Sequence, residues 1–171
     1  MISRRLFSTT HSKNVVSALS VFKSSCYHKI DFKISEENNA NNAVKRFSAF
    51  NIGCLAVTDK ENNVVGVLSE RDYINKVSAL GRDDKTVKIK DICTFTPNII
   101  IAKKNDTIEE CMNKMLFKDI RHLLVIDENN NDFVGMISIK DLIKEIMKDK
   151  NDMITRLTDF KLGKGGYFGS E

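Results

Sequence analysis

A chain of 171 residues, 42% hydrophobic and 29% charged, is long enough to bury a core and fits one compact domain or two very small ones. No apolar run nears the roughly 18 to 20 residues of a membrane-spanning helix, which excludes one; "NIIIA" and "HLLVI" are of strand size. The net charge of +4 is gathered at the start: residues 1–30 hold five of the 27 Lys and Arg side chains and none of the 23 acids, so residues 31–171, with 22 bases against 23 acids, offer no broad field for nucleic acid.

In chain order, residues 1–30 come first, with Arg4, Arg5, Lys13, Lys23 and Lys29, many Ser and no acid. That is the composition of a mitochondrial transit peptide rather than of a fold element, and a disordered basic tail shares it. "RRLFSTT" resembles matrix-protease sites, with a cut after Phe7; the expected location is the mitochondrial matrix. "KIDFKI" then alternates as a strand. Ala40, Ala43, Val44 and Phe47 fall on one helical face, "CLAVTD" reads as a strand, and "DKENN" as a hairpin turn. "GVLSERDYINKV" runs from strand into a helix with Tyr73, Ile74, Val77 and Leu80 on one face.

"GRDDKTVKIKDICTFTP" connects to a second series, its charged part a surface loop and "VKIKDI" a short element. That series has the apolar run "NIIIA", a helix with Ile108, Cys111, Met112, Met115 and Leu116 on one face, and a strand "HLLVID". An Asn-rich turn "DENNND" follows, then "GMISIKDLIKEI" with Leu142, Ile143, Ile146 and Met147 on a helical face. A helical extension reaches about Leu157 before a Gly-rich, flexible tail, whose "GKGG" lacks P-loop spacing.

The second series repeats the first. "CLAVTD" and "HLLVID" align at an offset of 68, and "GVLSERDYINKV" and "GMISIKDLIKEI" at 69. The expected fold is therefore α/β (α+β), two pseudo-symmetric units of order strand, helix, strand, strand, helix. Their bounds are 31–82 and 96–150, with a connector at 83–95 and an extension at 151–171. One unit is marginal alone, so the pair must share a core.

Of the four cysteines, Cys26, Cys54, Cys93 and Cys111, none forms a CxxC pair or has a His at metal-ligand spacing, so no metal site is expected. Cys54 and Cys111 fall in apolar periodic segments and read as small core residues. A cysteine-dependent enzyme finds no support, because no base or resolving thiol stands nearby in sequence.

Each repeated junction has the form Gly, apolar, apolar, Ser, x, x, Asp. The Gly ends a strand where backbone or ligand can come close. The Ser opens a helix, where an N-cap hydroxyl and the helix start favour a phosphate. The Asp, one turn in, can accept both hydroxyls of a ribose. The same S-x-x-D is also a capping-box variant that needs no ligand.

With its doubled "GVLSERD" and "GMISIKD" and its "DIRHLLVID", the chain resembles the CBS-domain pairs, or Bateman modules, over about residues 31–150. That resemblance implies a non-enzymatic regulator that binds an adenosine ligand, AMP, ADP, ATP or S-adenosylmethionine, in clefts between the units. Asp72 and Asp141 would hold ribose, Ser69 and Ser138 would lie beside phosphate, and Arg121, His122, Thr107 and Arg71 would add polar contacts. At the positions of Arg121, His122 and Thr107 the first unit has Gly53, Cys54 and Asn39, which implies unequal clefts. The transit-peptide composition, "SERDY" and "IRHLLVID" resemble plant mitochondrial stand-alone members, which implies a homodimer and a thioredoxin-type client. A structural interaction module that binds no nucleotide is the alternative.

Overall fold

The computed structural model of the protein describes residues 16–161. Arg4, Arg5, the cut after Phe7 and the Gly-rich tail lie outside these residues. Helix α1 (Ala18–Ser24) leads into β1 (Lys33–Ser35), α2 (Ala40–Phe50), β2 (Cys54–Thr58), β3 (Val64–Ser69) and α3 (Glu70–Tyr73), which continues as a π-helical turn, Ile74–Ser78. A 3-10 turn (Ile89–Asp91) and β4 (Thr94–Phe95) follow. The second unit is β5 (Ile101–Lys103), α4 (Ile108–Phe117), β6 (His122–Ile126), β7 (Phe133–Ser138) and α5 (Ile139–Lys161).

Both units thus have the expected order. β1 runs parallel to β2, which pairs antiparallel with β3, and β5 to β7 repeat this at registers shifted by 68 to 69 residues: Ile34 faces Val57 and Ala102 faces Val125. All five positions of β2 are buried, because it is a central strand covered on both faces, and a near-continuous apolar sequence is what such a strand requires. The turns between the middle strands place Asn62 and Asn131 at φ of 66° and 60°, the left-handed region that Asn tolerates.

One feature is absent from a simple tandem reading. The stretch leading into each unit packs on the other unit. Val87, Ile89 and Ile92, ahead of the second unit, are buried in the core of the first, and Ala18 and Val21, ahead of the first, are buried in the core of the second. The backbone repeats this exchange: Ile89 and Lys90 N–H donate to Asn38 and Glu36 C=O, as Ala18 and Leu19 N–H do to Asp106 and Lys104 C=O. The connector is therefore a core element, and β4 extends the first sheet as a fourth strand.

Residues 16–30, the downstream half of the expected transit peptide, are packed against the fold. Their composition is that of a leader, yet Ala18 and Val21 are solvent-free, Phe22 packs against both cores, and the Ser25 hydroxyl is buried. Composition averaged over thirty residues hides the short periodic stretch that carries these contacts.

Helix faces also differ in part. Tyr73 and Val77 turn inward, but Ile74 and Leu80 are 56% and 66% exposed. The helix widens there into i to i+5 bonding, with Ala79 N–H donating to Ile74 C=O and Arg82 N–H to Val77 C=O, so a 3.6-residue period no longer predicts which side chains align. In the second unit Leu142 is buried and Ile146 half-buried, while Leu116, Ile143 and Met147 are exposed. The extension of α5 runs to Lys161, somewhat past Leu157. No helix among the described residues is long and apolar enough to cross a membrane.

Candidate functional site

The two repeated glycines fall in the middle of β3 and β7 rather than at strand ends, and protein, not open space, lies against them. A Cβ on Gly66 would stand 2.6 Å from the Thr94 carbonyl oxygen of β4, and at Gly135 the Phe22 ring of α1 occupies that place. Each glycine therefore admits the exchanged or added element beside its strand.

Three residues after each glycine the chain turns into its helix through a capping box. Ser69 N–H and Oγ donate to Asp72 Oδ2 at 3.0 and 2.6 Å while Asp72 N–H donates back to Ser69 Oγ at 3.2 Å. Ser138 and Asp141 repeat it at 2.9, 2.6 and 3.3 Å. The first helical N–H in each unit is used as well: Glu70 N–H donates to Gly53 C=O and Ile139 N–H to Arg121 C=O. Ser69 and Ser138 therefore cap their helices, and the first helical N–H of each unit is already paired within the protein. Outside the capping boxes each Asp has its second oxygen, Oδ1.

Those oxygens belong to two clefts, each lined by both units. The larger, about 450 Å³, brings Ser69, Arg71 and Asp72 together with Thr94, Ile99 and Ile100 and, from the second unit, Lys118 through His122. The smaller, about 250 Å³, joins Ser138 and Asp141 to Asn51 through Cys54 and to Tyr27 and Phe32. Arg121 and His122 line both. Thr107 lines neither cleft; it caps α4 in its own capping box with Glu110, its N–H donating to Glu110 Oε2 at 2.8 Å.

Charge in the larger cleft comes mainly from exposed Arg71, Lys118 and Arg121. Arg71 Nη1 lies 3.5 Å from Asp119 Oδ2, a pair with 56% and 95% exposed side chains that adds little stability and can be exchanged for another anion. Asp72 Oδ1 accepts from Lys76 Nζ at 2.8 Å, and that side chain is 40% exposed. Lys118 and Thr94 were not singled out by sequence reasoning; each falls at the frayed end of an element, where neither periodicity nor the repeated motif points.

His122, expected to add a polar contact, carries no positive charge at neutral pH. Burial, helped by the neighbouring Arg121 and opposed by Asp141, pushes its pKa down to about 4, so it is neutral at pH 7. It therefore offers a phosphate hydrogen bonding without charge. In the unfolded chain the group ionises near 6.5, so the folded state binds fewer protons and stability falls as pH drops from about 6.5 toward 4, by roughly 3 kcal/mol at the limit. Urea titrations at pH 7 and pH 4.5 should show that extra loss in the wild type and its absence in His122→Gln; parallel losses would refute the assignment.

Cys54 lines both clefts, but burial pushes its thiol up to about 12, and burial likewise raises Cys93 and Cys111 to about 11. All three are thiols at neutral pH, unsuited to nucleophilic work. Cys54 and Cys111 are buried, as their apolar surroundings in sequence imply.

The family model of the CBS domain matches residues 28–79 and 89–148. Among curated proteins, the chain is similar to the mitochondrial CBS domain-containing protein CBSX3 of Arabidopsis thaliana, 29% identical over 133 residues, which are 77% of this chain and 63% of that protein. It is also 29% identical to an inosine-5'-monophosphate dehydrogenase of Methanocaldococcus jannaschii, over 65% of this chain but only 21% of that enzyme. Among solved structures, a CBS-domain protein of Burkholderia ambifaria superposes with a TM-score of 0.70 at 26% identity, covering 78% of this chain and 95% of its own. A CBS domain protein of Pyrobaculum aerophilum complexed with AMP superposes at 0.58 with 25% identity, covering 64% and 80%. Two matched domains, the repeated strand order and the doubled capping junction agree, and the chain belongs to the CBS-domain family as a tandem pair.

Proposed function

We propose that this chain is a non-catalytic regulatory module that binds an adenosine ligand, a nucleotide (AMP, ADP or ATP) or S-adenosylmethionine, in the larger cleft. The observation that carries the reading is Asp72: a carboxylate held by its own capping box, its outward oxygen tied only to a half-exposed lysine, facing three cationic side chains and an apolar wall. Asp72 would accept ribose hydroxyls once Lys76 gives up its contact with Oδ1, its donation to Ile92 C=O remaining. Arg71, Lys118 and Arg121 would meet phosphate, with the neutral His122 as a hydrogen-bonding neighbour, and Ile99 and Ile100 would lie against the base. The AMP complex of the Pyrobaculum aerophilum relative supports the ligand class. Ser138 and Asp141 belong to the smaller cleft, and Thr107 is left as a cap.

Ligand binding regulates only through unequal affinity for two conformations, so the module needs a partner that reads one of them. The exposed Ile74, Leu80, Ile143 and Met147 support a homodimer. A mitochondrial location is supported by the name of the Arabidopsis relative and by the basic, acid-free residues 1–30. A thioredoxin-type client rests on the resemblance alone.

Thermal unfolding of the full chain with each of the four ligands tests the reading. At 100 times its dissociation constant one ligand adds about 2.7 kcal/mol to the native state, and Asp72→Ala should remove that shift. A module that uses the fold only to associate gives no shift with any of them, and that result would sink the nucleotide reading.

A further inference from the structure

The two motif carboxylates are held alike on one oxygen and differently on the other. Asp72 Oδ1 takes Lys76 Nζ at 2.8 Å, from a side chain 40% exposed that also donates to Ile92 C=O at 2.6 Å. Asp141 Oδ1 takes the Ser25 hydroxyl at 2.9 Å, with Ser25 only 6% and Asp141 only 7% exposed. The residue matching Lys76 in the second unit is Glu145, which cannot donate to Asp141; instead α1 brings two successive serines, Ser24 toward Glu145 at 3.4 Å and Ser25 to Asp141. Ser25 is fixed in turn, since its Oγ accepts from Tyr27 N–H at 3.2 Å, and Tyr27 lines the same cleft. The smaller cleft is about 250 Å³ against 450 Å³ for its counterpart.

We infer that the smaller cleft is a nucleotide site blocked by the chain itself at its ribose contact: the Ser25 hydroxyl takes the Asp141 oxygen that a ribose hydroxyl would need, so one nucleotide binds per chain. A sugar hydroxyl and a serine hydroxyl are the same donor chemically. The tethered one is already desolvated and positioned, so a free nucleotide must displace a buried, satisfied contact to enter. This rests on the nucleotide reading of the larger cleft and extends it to the number of sites.

Calorimetric titration of the full chain with AMP tests both claims separately. The wild type should bind a single equivalent, lost in Asp72→Asn and unchanged within about twofold in Asp141→Asn. Ser25→Ala should gain a second equivalent, and Ser25→Ala with Asp141→Asn should lose that gain. Two equivalents in the wild type, or a loss of affinity in Asp141→Asn, overturns the inference without touching Asp72. Should Ser25→Ala not fold, the wild-type stoichiometry and the two Asp→Asn variants decide it unaided. A folded Ser25→Ala that still binds one equivalent also overturns it. Binding only in Ser25→Ala would refute the Asp72 reading and leave the plug in place, whereas no binding in any variant would refute both.

Discussion

A chain that begins at residue 31 is expected to lose the cooperative fold of its second unit, while one that begins at residue 8 should unfold like the full chain. The first removes α1, and with it the complete burial of Ala18 and Val21, the Phe22 ring against Gly135, and the Ser25 hydrogen bond to a buried carboxylate. Burying a Val or Phe side chain is worth about 1.5 to 3 kcal/mol, and a hydrogen bond to a charged group about as much. The sum, on the order of 5 kcal/mol, rivals the whole stability of a small domain. It also leaves Asp141 short of a partner inside the protein, a cost of its own. Urea denaturation followed by tertiary-structure signals would report this as a collapsed or vanished transition. Equal midpoints for the two chains would show that α1 is dispensable. A cut that leaves residues 18–30 in place should therefore keep the contacts of α1, and removal of everything through residue 30 should lose them.

Gly66→Ala is the second large effect, expected to cost about 1 to 3 kcal/mol as overpacking does. The group in its way is the Thr94 backbone carbonyl, 2.6 Å from the new Cβ, so no rotamer change can relieve the clash. β4 must move, and it is held by only two register positions, Gly66 with Phe95 and Val67 with Thr94. Because Thr94 also lines the larger cleft, nucleotide affinity should fall together with the urea midpoint. Gly135→Ala meets a side chain, the Phe22 ring, and should disturb the packing of α1 while leaving the larger cleft's ligand response in place. Indistinguishable ligand responses in these two variants would contradict the division of labour between the glycines.

The fold was legible because its signal is doubled. Two copies of strand, helix, strand, strand, helix constrain each other, and the Asn-rich turns, the buried central strands and the capping junctions followed from local chemistry at Asn62, Asn131, Ser69 and Ser138. What was not legible is what the repeat does not repeat. The exchange of leading stretches depends on contacts such as Val21 in the second core, which no local pattern encodes. The π-helical turn broke the period that placed Ile74 and Leu80 inward. Among the site residues, Asp72 and Arg71 fall in one cleft as the motif implies, but the same motif could not show that Asp141 is already satisfied, since its partner Ser25 lies in a segment whose composition resembles a leader. The charge state of His122 is set by burial, which sequence does not state.

The contact between Ser25 and Asp141 spans 116 residues. On a ribosome the leading segment emerges first, and the surface that Ala18, Val21 and Ser25 occupy does not exist until β7 and the start of α5 have been made. Contacts of such separation close late, because loop entropy must be overcome before they repay it. Until then α1 has no core of its own to fold against. Only completion of the chain retires it into the fold. Residues 18–25 are thus a cover whose seat is the last part of the fold to be made.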